Sequence, residues 1–297
     1  MLGLVKNSTQ PTATMQDPFA HCEALVRAAD KDRFLATLFA PAKHRGALYA
    51  LYAFNAEIAR VREAIREPVA GEIRLQWWSD VLGGEGRGDA AAHPIVAALY
   101  AIIARYRLPI ERLDALIDAR RFDLYDEPMA TLADLETYAR SASSGLIALA
   151  AQILDGGRAP DIGPLAEHAG LAHAIAGLIR ALPIHAARGQ LFVPLDVLRQ
   201  HGADQQDVAR GQATPQLRAA LAELRRGARR HLAQARQAME TEPLAVTPAL
   251  LPVALVGPTL TRMERNDHDP FEPVEIVPWR RQWLIWRAAR RPERIFS

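Results

Sequence analysis

The sequence predicts an all-α protein folded as a single domain. Hydrophobic residues recur at steps of three and four along almost the whole chain, which is the period of a helix with one buried face. The alternation that is typical of strands is almost absent. The connections between helical stretches are short and rich in glycine, proline and aspartate, so none of them requires a domain boundary.

The periodicity assigns most of the chain to helices whose ends are approximate. The predicted helices are 18–30, 32–40, 43–66, 70–83, 92–107, 109–125, 131–154, 162–182, 194–201, 214–240, 246–264 and 278–290. Breaks are predicted at Pro41 and within 82–89, 126–128 and 155–161. Residues 1–17 are polar and contain Thr and Pro, so they are predicted to form a flexible lead before a domain over 18–297.

Composition narrows the classes of function. With 49% hydrophobic and 24% charged residues in a chain of 297, the sequence is typical of a globular domain with a large core. A net charge of +2 does not indicate a nucleic-acid binder. The single cysteine, Cys22, excludes an internal disulfide and suits a reducing compartment. We predict that this thiol is buried. We also predict a cytoplasmic protein, because 243–261 is interrupted by prolines and 141–154 is too short to span a membrane.

Short catalytic and metal motifs are scarce. There is no HExxH, CxxC or phosphate-binding loop, and His168 and His173 are five residues apart, on different faces of one helix. Asp114 and Asp118 share a helix face and precede further acids, beginning with Asp123. Carboxylates at this spacing can share a divalent cation. We favour a salt-bridged surface, because arginines are interleaved with the acids.

Four long segments carry a family resemblance. They are "LFAPAKHRGALYALYAFNAEIARVRE" (38–63), "LIDARRFDLYDEP" (116–128), "LETYARSASSGLIALAAQIL" (135–154) and "LIRALPIHAARGQLFVPLDVLRQHG" (178–202). In that order they resemble the squalene/phytoene synthase superfamily. The resemblance implies an isoprenoid-synthase-like helical bundle with a central cavity. In active members, two aspartate-rich motifs face this cavity and hold Mg²⁺ ions, which bind the diphosphates of two prenyl substrates.

The chain departs from the family pattern at the metal-binding positions. Departure of a diphosphate needs Mg²⁺, and Mg²⁺ needs hard oxygen ligands in near-octahedral geometry. Here the first-motif positions fall on Ala59, Arg60 and Glu63, and the second-motif positions fall on Gly177, Ala181 and His185. One acid remains in the first motif and none in the second, and Pro183 interrupts the second motif's helix. We therefore predict no metal site and no catalysis. Mg²⁺ would be a cofactor only if the chain were a prenyltransferase.

Other framework positions match the family pattern. The candidate cavity or ligand residues are Arg45, Glu57, Asp118, Asp123, Tyr138, Arg180 and Arg188. The segments "YAFNAEIA" (52–59) and "IRALPIH" (179–185) resemble a degenerate branch that includes an assembly factor of respiratory complex I, NADH:ubiquinone oxidoreductase. This branch implies a non-catalytic protein whose partners are complex I subunits or assembly intermediates.

Two alternatives stay open. The first is a prenyltransferase of isoprenoid biosynthesis that uses residual acids such as Glu57, Glu63, Asp118 and Asp123. The second is a protein that binds a prenyl lipid, a prenyl diphosphate or a quinone without turnover, in a pocket bounded by the small residues of 141–151.

The arginine-rich segments suggest two further contacts. Trp279, Trp283 and Trp286 share one face of a predicted helix that is flanked by arginines. Such a helix can lie on the inner membrane or in a partner groove, although packing of the tryptophans on the bundle is the favoured interpretation. Around the second motif, Arg60, Arg180, Arg188 and His185 replace or outnumber the acids, and such a site can bind an anion or an acidic partner segment without a metal. We favour the alternative that the arginines pair with Glu57, Glu63 and Asp118 in a closed ion-pair network.

Overall fold

The computed structural model describes residues 17–65, 67–86, 90–239 and 244–297, and every regular element in those ranges is helical. This confirms the all-α prediction. The α-helices are α1 Pro18–Ala29, α2 Lys31–Thr37, α3 Ala42–Ala59, α4 Val61–Ala64, α5 Pro68–Leu82, α6 Pro94–Tyr106, α7 Ile110–Phe122, α8 Leu132–Ala139, α9 Gly145–Leu154, α10 Gly163–Arg180, α11 Leu182–Ala187, α12 Leu195–Gln200, α13 Gln205–Ala209, α14 Pro215–Met239, α15 Thr247–Leu250, α16 Val256–Met263 and α17 Pro278–Arg290. A π-helical turn, Arg140–Ser144, joins α8 to α9, and 3-10 turns lie at Ala90–Ala92, Leu244–Val246, Leu251–Leu255 and Pro292–Arg294. Apart from Asp17, the predicted flexible lead lies outside the described residues.

Local sequence explains where several helices begin. The Asp17 side chain accepts a hydrogen bond from the backbone N–H of Phe19 at 3.1 Å, and so caps α1. At α8, Thr131 and Asp134 form a reciprocal capping box. The predicted break after α9 is a turn in which Gly157 has φ +94°. A Cβ there would lie 3.0 Å from the backbone of Tyr106, so this turn requires glycine.

Several predicted helices are interrupted in the structure. The helix predicted over 43–66 ends at Ala59, and a turn at Arg60 (φ −89°, ψ −3°) separates it from the single turn of α4. The helix predicted over 162–182 ends at Arg180, and α11 begins with Pro183 in its first turn, where the missing N–H is tolerated. Prolines likewise divide the segment predicted over 246–264 into short α and 3-10 pieces. The short helix α13 was not predicted.

The core consists of two hydrophobic clusters that meet at α9. The first contains buried side chains of α1, α3 and α5–α7, such as Phe54 and Trp78, and it includes the fully buried Cys22. Burial raises the pKa of the Cys22 thiol to about 12, which confirms the predicted inert buried thiol. The second cluster is built around α10, α14 and the C-terminal helices. Leu149 faces the first cluster and Ala151 the second, so α9 couples the two.

Small residues let α10 approach the π-helical turn closely. A Cβ added at Gly170 would lie only 2.2–2.5 Å from side-chain and backbone atoms of Ser144. The Ser144 hydroxyl donates to the carbonyl of Glu167 at 2.9 Å across this contact. The close helix packing predicted for the segment 141–151 is therefore present.

Candidate functional site

The first-motif positions lie where α3 ends. Ala59 is the last residue of α3 and is half-buried, whereas Arg60 and Glu63 are exposed. Arg60 breaks the helix between them, so these positions no longer follow one continuous helix face. The end of α3 therefore offers a single carboxylate, on a short and exposed turn.

The second-motif positions lie where α10 passes into α11. Gly177 is in α10, Ala181 is at the break, and His185 is in α11. The ring of His185 lies 4.5 Å from the ring of Phe192, measured between centroids. Burial, with a smaller contribution from Arg188, lowers the pKa of His185 to about 4, so the imidazole is neutral at physiological pH. The place of an acid is therefore taken by an uncharged ring in an apolar setting.

A surface ion pair joins the two motif segments. Nη1 of Arg188 lies 3.2 Å from Oε1 of Glu63, and their side chains are 43% and 51% exposed. A pair this exposed contributes only about 0–1 kcal/mol to stability. The remaining acid of the first motif thus has a guanidinium as its partner.

These residues do not fit a magnesium cluster. Among the residues that the structure describes, no group of three or more His, Cys, Asp or Glu side chains is placed to hold a metal ion. Among the six predicted motif positions Glu63 is the one carboxylate, and the second-motif positions offer Gly177, Ala181 and a half-buried imidazole. Mg²⁺ needs several hard oxygen ligands, so no catalytic step through this metal follows from the site.

The acids after Asp114 are dispersed among separate partners. Asp114 accepts a hydrogen bond from the Ser79 hydroxyl at 2.7 Å, and Asp118 pairs with Arg121 at 3.1 Å. Asp126 pairs with Arg62 at 3.0 Å. The structure therefore shows the salt-bridged surface that was predicted from the arginines interleaved with these acids.

One set of the family-pattern residues converges in the interior. The guanidinium of Arg120 donates to the hydroxyl of Tyr138 at 2.6 Å and lies 3.2 Å from Oδ2 of Asp123. The Tyr138 hydroxyl also donates to that same carboxylate oxygen at 3.3 Å. Phe122 and Phe192 pack against the ring of Tyr138. We call Arg120, Asp123 and Tyr138 the buried triad.

Burial dominates the electrostatics of the buried triad. It raises the pKa of Asp123, and Arg120 and Tyr138 offset part of that rise. Burial also raises the pKa of the Tyr138 phenol, although Arg120 acts in the opposite direction. Oδ1 of Asp123 and Nε of Arg120 are buried without a hydrogen-bond partner. Sequence comparison singled out Asp123 and Tyr138 but missed Arg120 as their partner.

The other predicted site residues do not join the buried triad. Nε of Arg45 donates to the carbonyl of Ala40 at 2.9 Å, an interaction at the start of α3. Glu57 is half-buried on α3, where its charge acts on His93. Asp118 is on the surface, with its side chain 61% exposed. Arg180 is exposed at the end of α10.

The predicted closed network around Arg180 is wrong. Among the described residues, no ion pair links Arg180 to Glu57, Glu63 or Asp118, and the Arg188–Glu63 pair is open to solvent. Arg180 instead lines a cavity of about 30 Å³ together with Asp32 and His173. Neither Asp32 nor His173 was predicted as a site residue, although the charged run that begins at Lys31 between two predicted helices was a visible signal for Asp32.

Two of the cavities beside the second motif are small. The cavity beside Arg180 holds about 30 Å³, and an apolar one beside His185 and Phe192 holds about 10 Å³. One water molecule needs roughly 10–15 Å³ on this measure, and pockets for small-molecule ligands hold roughly 300–1,000 Å³. These two cavities therefore have no room for a prenyl chain.

The fold is that of an isoprenoid-synthase-like helical bundle, and among the predicted motif positions Glu63 is the one that carries a carboxylate. The model of the squalene/phytoene synthase family matches residues 26–287, so the chain belongs to that family. It is 30% identical to NADH dehydrogenase (ubiquinone) complex I, assembly factor 6 of Homo sapiens, over 85% of this chain and 76% of that protein. It is 26% identical to 15-cis-phytoene synthase of Synechococcus elongatus, over 91% of each chain. The crystal structure of squalene synthase HpnC from Alicyclobacillus acidocaldarius superposes with a TM-score of 0.71 at 23% identity, covering 89% of this chain and 98% of that one, which supports the fold.

The tryptophans of α17 are exposed, and the favoured interpretation that they pack on the bundle is wrong. Trp279 is 69% exposed, Trp283 46% and Trp286 49%. The guanidinium of Arg287 lies 5.0 Å from the centroid of the Trp283 ring, and that of Arg290 lies 6.0 Å from the Trp286 ring. The opposite face of α17 packs on the core through Ile285 and Ala288, which are buried.

Proposed function

We propose that this chain is a non-catalytic assembly factor for respiratory complex I, which uses a synthase fold as a binding scaffold. The observation that carries the proposal is the replacement of the metal-binding acids, which leaves Glu63 paired with Arg188 and a neutral His185 opposite. A similar protein named as a complex I assembly factor adds support, because it is alike over most of its length.

Genetic complementation tests this proposal. Deletion of the gene is expected to lower the amount of assembled complex I, measured by native gel electrophoresis and NADH oxidation in membranes. Both the wild-type chain and Glu63→Ala are expected to restore it, because the proposed function does not need the remaining first-motif acid. Restoration by the wild-type chain with failure of a stably folded Glu63→Ala would instead favour residual chemistry. No change in complex I on deletion would reject the proposal.

An enzymatic assay separates scaffold from transferase. Purified protein with Mg²⁺ and farnesyl or geranylgeranyl diphosphate is expected to release no pyrophosphate above background, because the residues at the motif positions cannot assemble a magnesium cluster. The cyanobacterial phytoene synthase named above serves as the positive control. Formation of squalene, phytoene or a cyclopropyl intermediate would establish the transferase alternative.

We also propose that α17 holds the protein against the membrane in which complex I is assembled. Within the described ranges, no helix has the length and apolarity to cross a bilayer. Peripheral contact is supported by the three exposed tryptophans and by the exposed Arg280, since indole rings favour the interface and arginines attract anionic lipids.

Vesicle sedimentation tests this contact. Binding is expected on vesicles of phosphatidylcholine with phosphatidylglycerol, and a marked loss is expected for Trp279→Ala/Trp283→Ala. Trp77→Ala is a control because Trp77 lies away from α17, between Arg74 and His93. Equal binding of the double variant and the wild-type chain would reject α17 as the contact.

A further inference from the structure

Two histidine rings meet where α10 and α14 pack together. Nδ1 of His168, on α10, lies 3.2 Å from Nδ1 of His231, on α14. The rings are inclined at 27° to each other, with 5.3 Å between their centroids. At most one hydrogen fits between two nitrogens at this distance, so at least one Nδ1 presents a lone pair to the other.

The two helices hold the pair in a fixed position. On α10, Leu165 and Ala169 beside His168 are fully buried, and on α14 Ala228 beside His231 is fully buried as well. All three side chains belong to the second hydrophobic cluster. Ligands that project from packed helices keep their geometry better than ligands on loops. The pair is therefore built into the rigid part of the bundle.

The distance between the two nitrogens matches that of two imidazole ligands on one metal ion. A bond from Zn²⁺ to a histidine nitrogen is about 2.0–2.1 Å long, and two such bonds at the tetrahedral angle place their nitrogens about 3.3 Å apart. The separation of 3.2 Å is therefore close to the one that an ion shared by His168 and His231 requires.

A carboxylate orients one of the rings. Oε1 of Glu136 lies 3.8 Å from Nε2 of His231, on the side of the ring away from the contact with His168. A carboxylate in that position favours the tautomer with its hydrogen on Nε2 and its lone pair on Nδ1, which is how histidines that bind zinc are commonly held. Arg140 pairs with both Glu136 and Glu167, at 3.0 and 2.8 Å, and so fixes the carboxylate in turn.

The protonation state and the exposure of the pair suit metal binding. Burial lowers the pKa of His231, and Glu136 offsets part of that fall, so the ring is neutral at physiological pH. Neutral imidazole is the form that binds metal ions. The side chain of His231 is 14% exposed and His168 is half-buried, so an ion can reach the pair from the surface.

The pair is separate from the predicted motif positions. Gly177 follows His168 by nine residues on α10, which places it on the opposite face of the helix and about 13 Å further along. The two places also differ in chemistry, because carboxylate oxygens suit Mg²⁺ whereas imidazole nitrogens suit zinc, copper and nickel.

We propose that His168 and His231 form a site for one divalent transition-metal ion of the zinc and copper class, bound through their two Nδ1 atoms. Glu136 is the positioning residue that orients His231. No third His, Cys, Asp or Glu among the described residues is placed to bind the same ion, so water completes the coordination. This site does not depend on the function proposed above.

Calorimetric titration of the full chain, without an affinity tag, with zinc chloride at pH 7.5 tests the proposal. The wild-type chain is expected to bind one ion, and His168→Gln and His231→Gln are each expected to abolish that binding, because both nitrogens hold the same ion. Glu136→Gln is expected to weaken it by roughly 10–100-fold. His201→Gln is the matched control and should bind as the wild-type chain does, since His201 also pairs with a carboxylate, Glu223, at 2.5 Å.

Electron paramagnetic resonance of the wild-type chain with one equivalent of Cu²⁺ gives a readout that needs no variant, should either histidine variant fail to fold by circular dichroism. The spectrum is expected to show two nitrogen ligands. A spectrum with one nitrogen ligand or none would overturn the proposal.

The titrations can overturn the proposal in three further ways. The wild-type chain could bind no zinc, or His168→Gln and His231→Gln could bind it as tightly as the wild-type chain. An equal loss in His201→Gln would also overturn it, because zinc would then be held by scattered surface histidines. Mg²⁺ is expected to give no binding to this pair, since imidazole is a poor ligand for that ion.

Discussion

The buried triad and the predicted motif positions differ sharply in burial, although both lie in the part of the chain that matches the squalene/phytoene synthase family. Arg120, Asp123 and Tyr138 are inside the protein and bond to one another. Glu63 and Arg188 are on the surface and form one weak ion pair. A charged side chain that satisfies buried polar groups cannot be replaced without cost to the fold, whereas an exposed ion pair contributes little to stability.

The largest loss of stability is expected for Asp123→Ala, which tests the contrast between the buried triad and the exposed ion pair. Removing this carboxylate leaves the buried Arg120 guanidinium without its counter-charge, so we expect the free energy of unfolding to fall by roughly 3–5 kcal/mol. Chemical denaturation measures the loss. Asp118→Ala is the control on the same helical stretch and should cost about 0–1 kcal/mol, because its side chain is 61% exposed. Equal losses in the two variants would contradict the distinction.

Two glycines extend the comparison to backbone packing. Gly170→Ala places a Cβ within 2.5 Å of Ser144, and we expect a loss of about 1–3 kcal/mol from overpacking. Gly177→Ala meets no atom within 4 Å, and we expect a gain of up to about 1 kcal/mol from helix propensity. Thermal and chemical denaturation measure both variants. Destabilisation by Gly177→Ala would show that the second-motif helix is under a constraint that the packing does not reveal.

His185 gives the second motif a characteristic pH dependence. Its pKa in the folded protein is about 4 and the ordinary value is 6.5, so the unfolded chain binds the proton more readily. Stability is therefore fully present above about pH 6.5 and is lost as the pH falls toward 4, by roughly 1–2 kcal/mol at pH 5. His185→Phe should weaken this dependence, which denaturation at pH 7 and pH 5 measures. His173 titrates in the same direction and remains in both proteins as an internal reference. An unchanged slope in His185→Phe would show that His185 is not the responsible group.

The smallest effect is expected for Glu63→Ala. Its partner Arg188 is 43% exposed and can be solvated by water, so we expect a loss of less than about 1 kcal/mol, and less still at high salt. Urea denaturation at two salt concentrations measures it. A loss of several kcal/mol would mean that Glu63 has a structural role like that of Asp123.

Sequence periodicity located nearly all of the helices, because the spacing of buried residues is fixed by the helix itself. It joined segments that the structure separates at Arg60 and Ala181, because a break of one residue hardly disturbs an apolar pattern. Family resemblance likewise identified Asp123 and Tyr138 as framework residues. It gave no indication that Arg120 bonds to Tyr138, since that contact joins α7 to α8.

By itself, the sequence determined the all-α class and the family, since both depend on residue identity at a known spacing. The tertiary structure decided which charges meet. Arg180 was expected to face Glu57, Glu63 and Asp118, yet it shares a cavity with Asp32, and the tryptophans of α17 point to solvent while Ile285 enters the core. Charge attraction has no period along the chain, so the partner of an arginine is set by how distant helices pack.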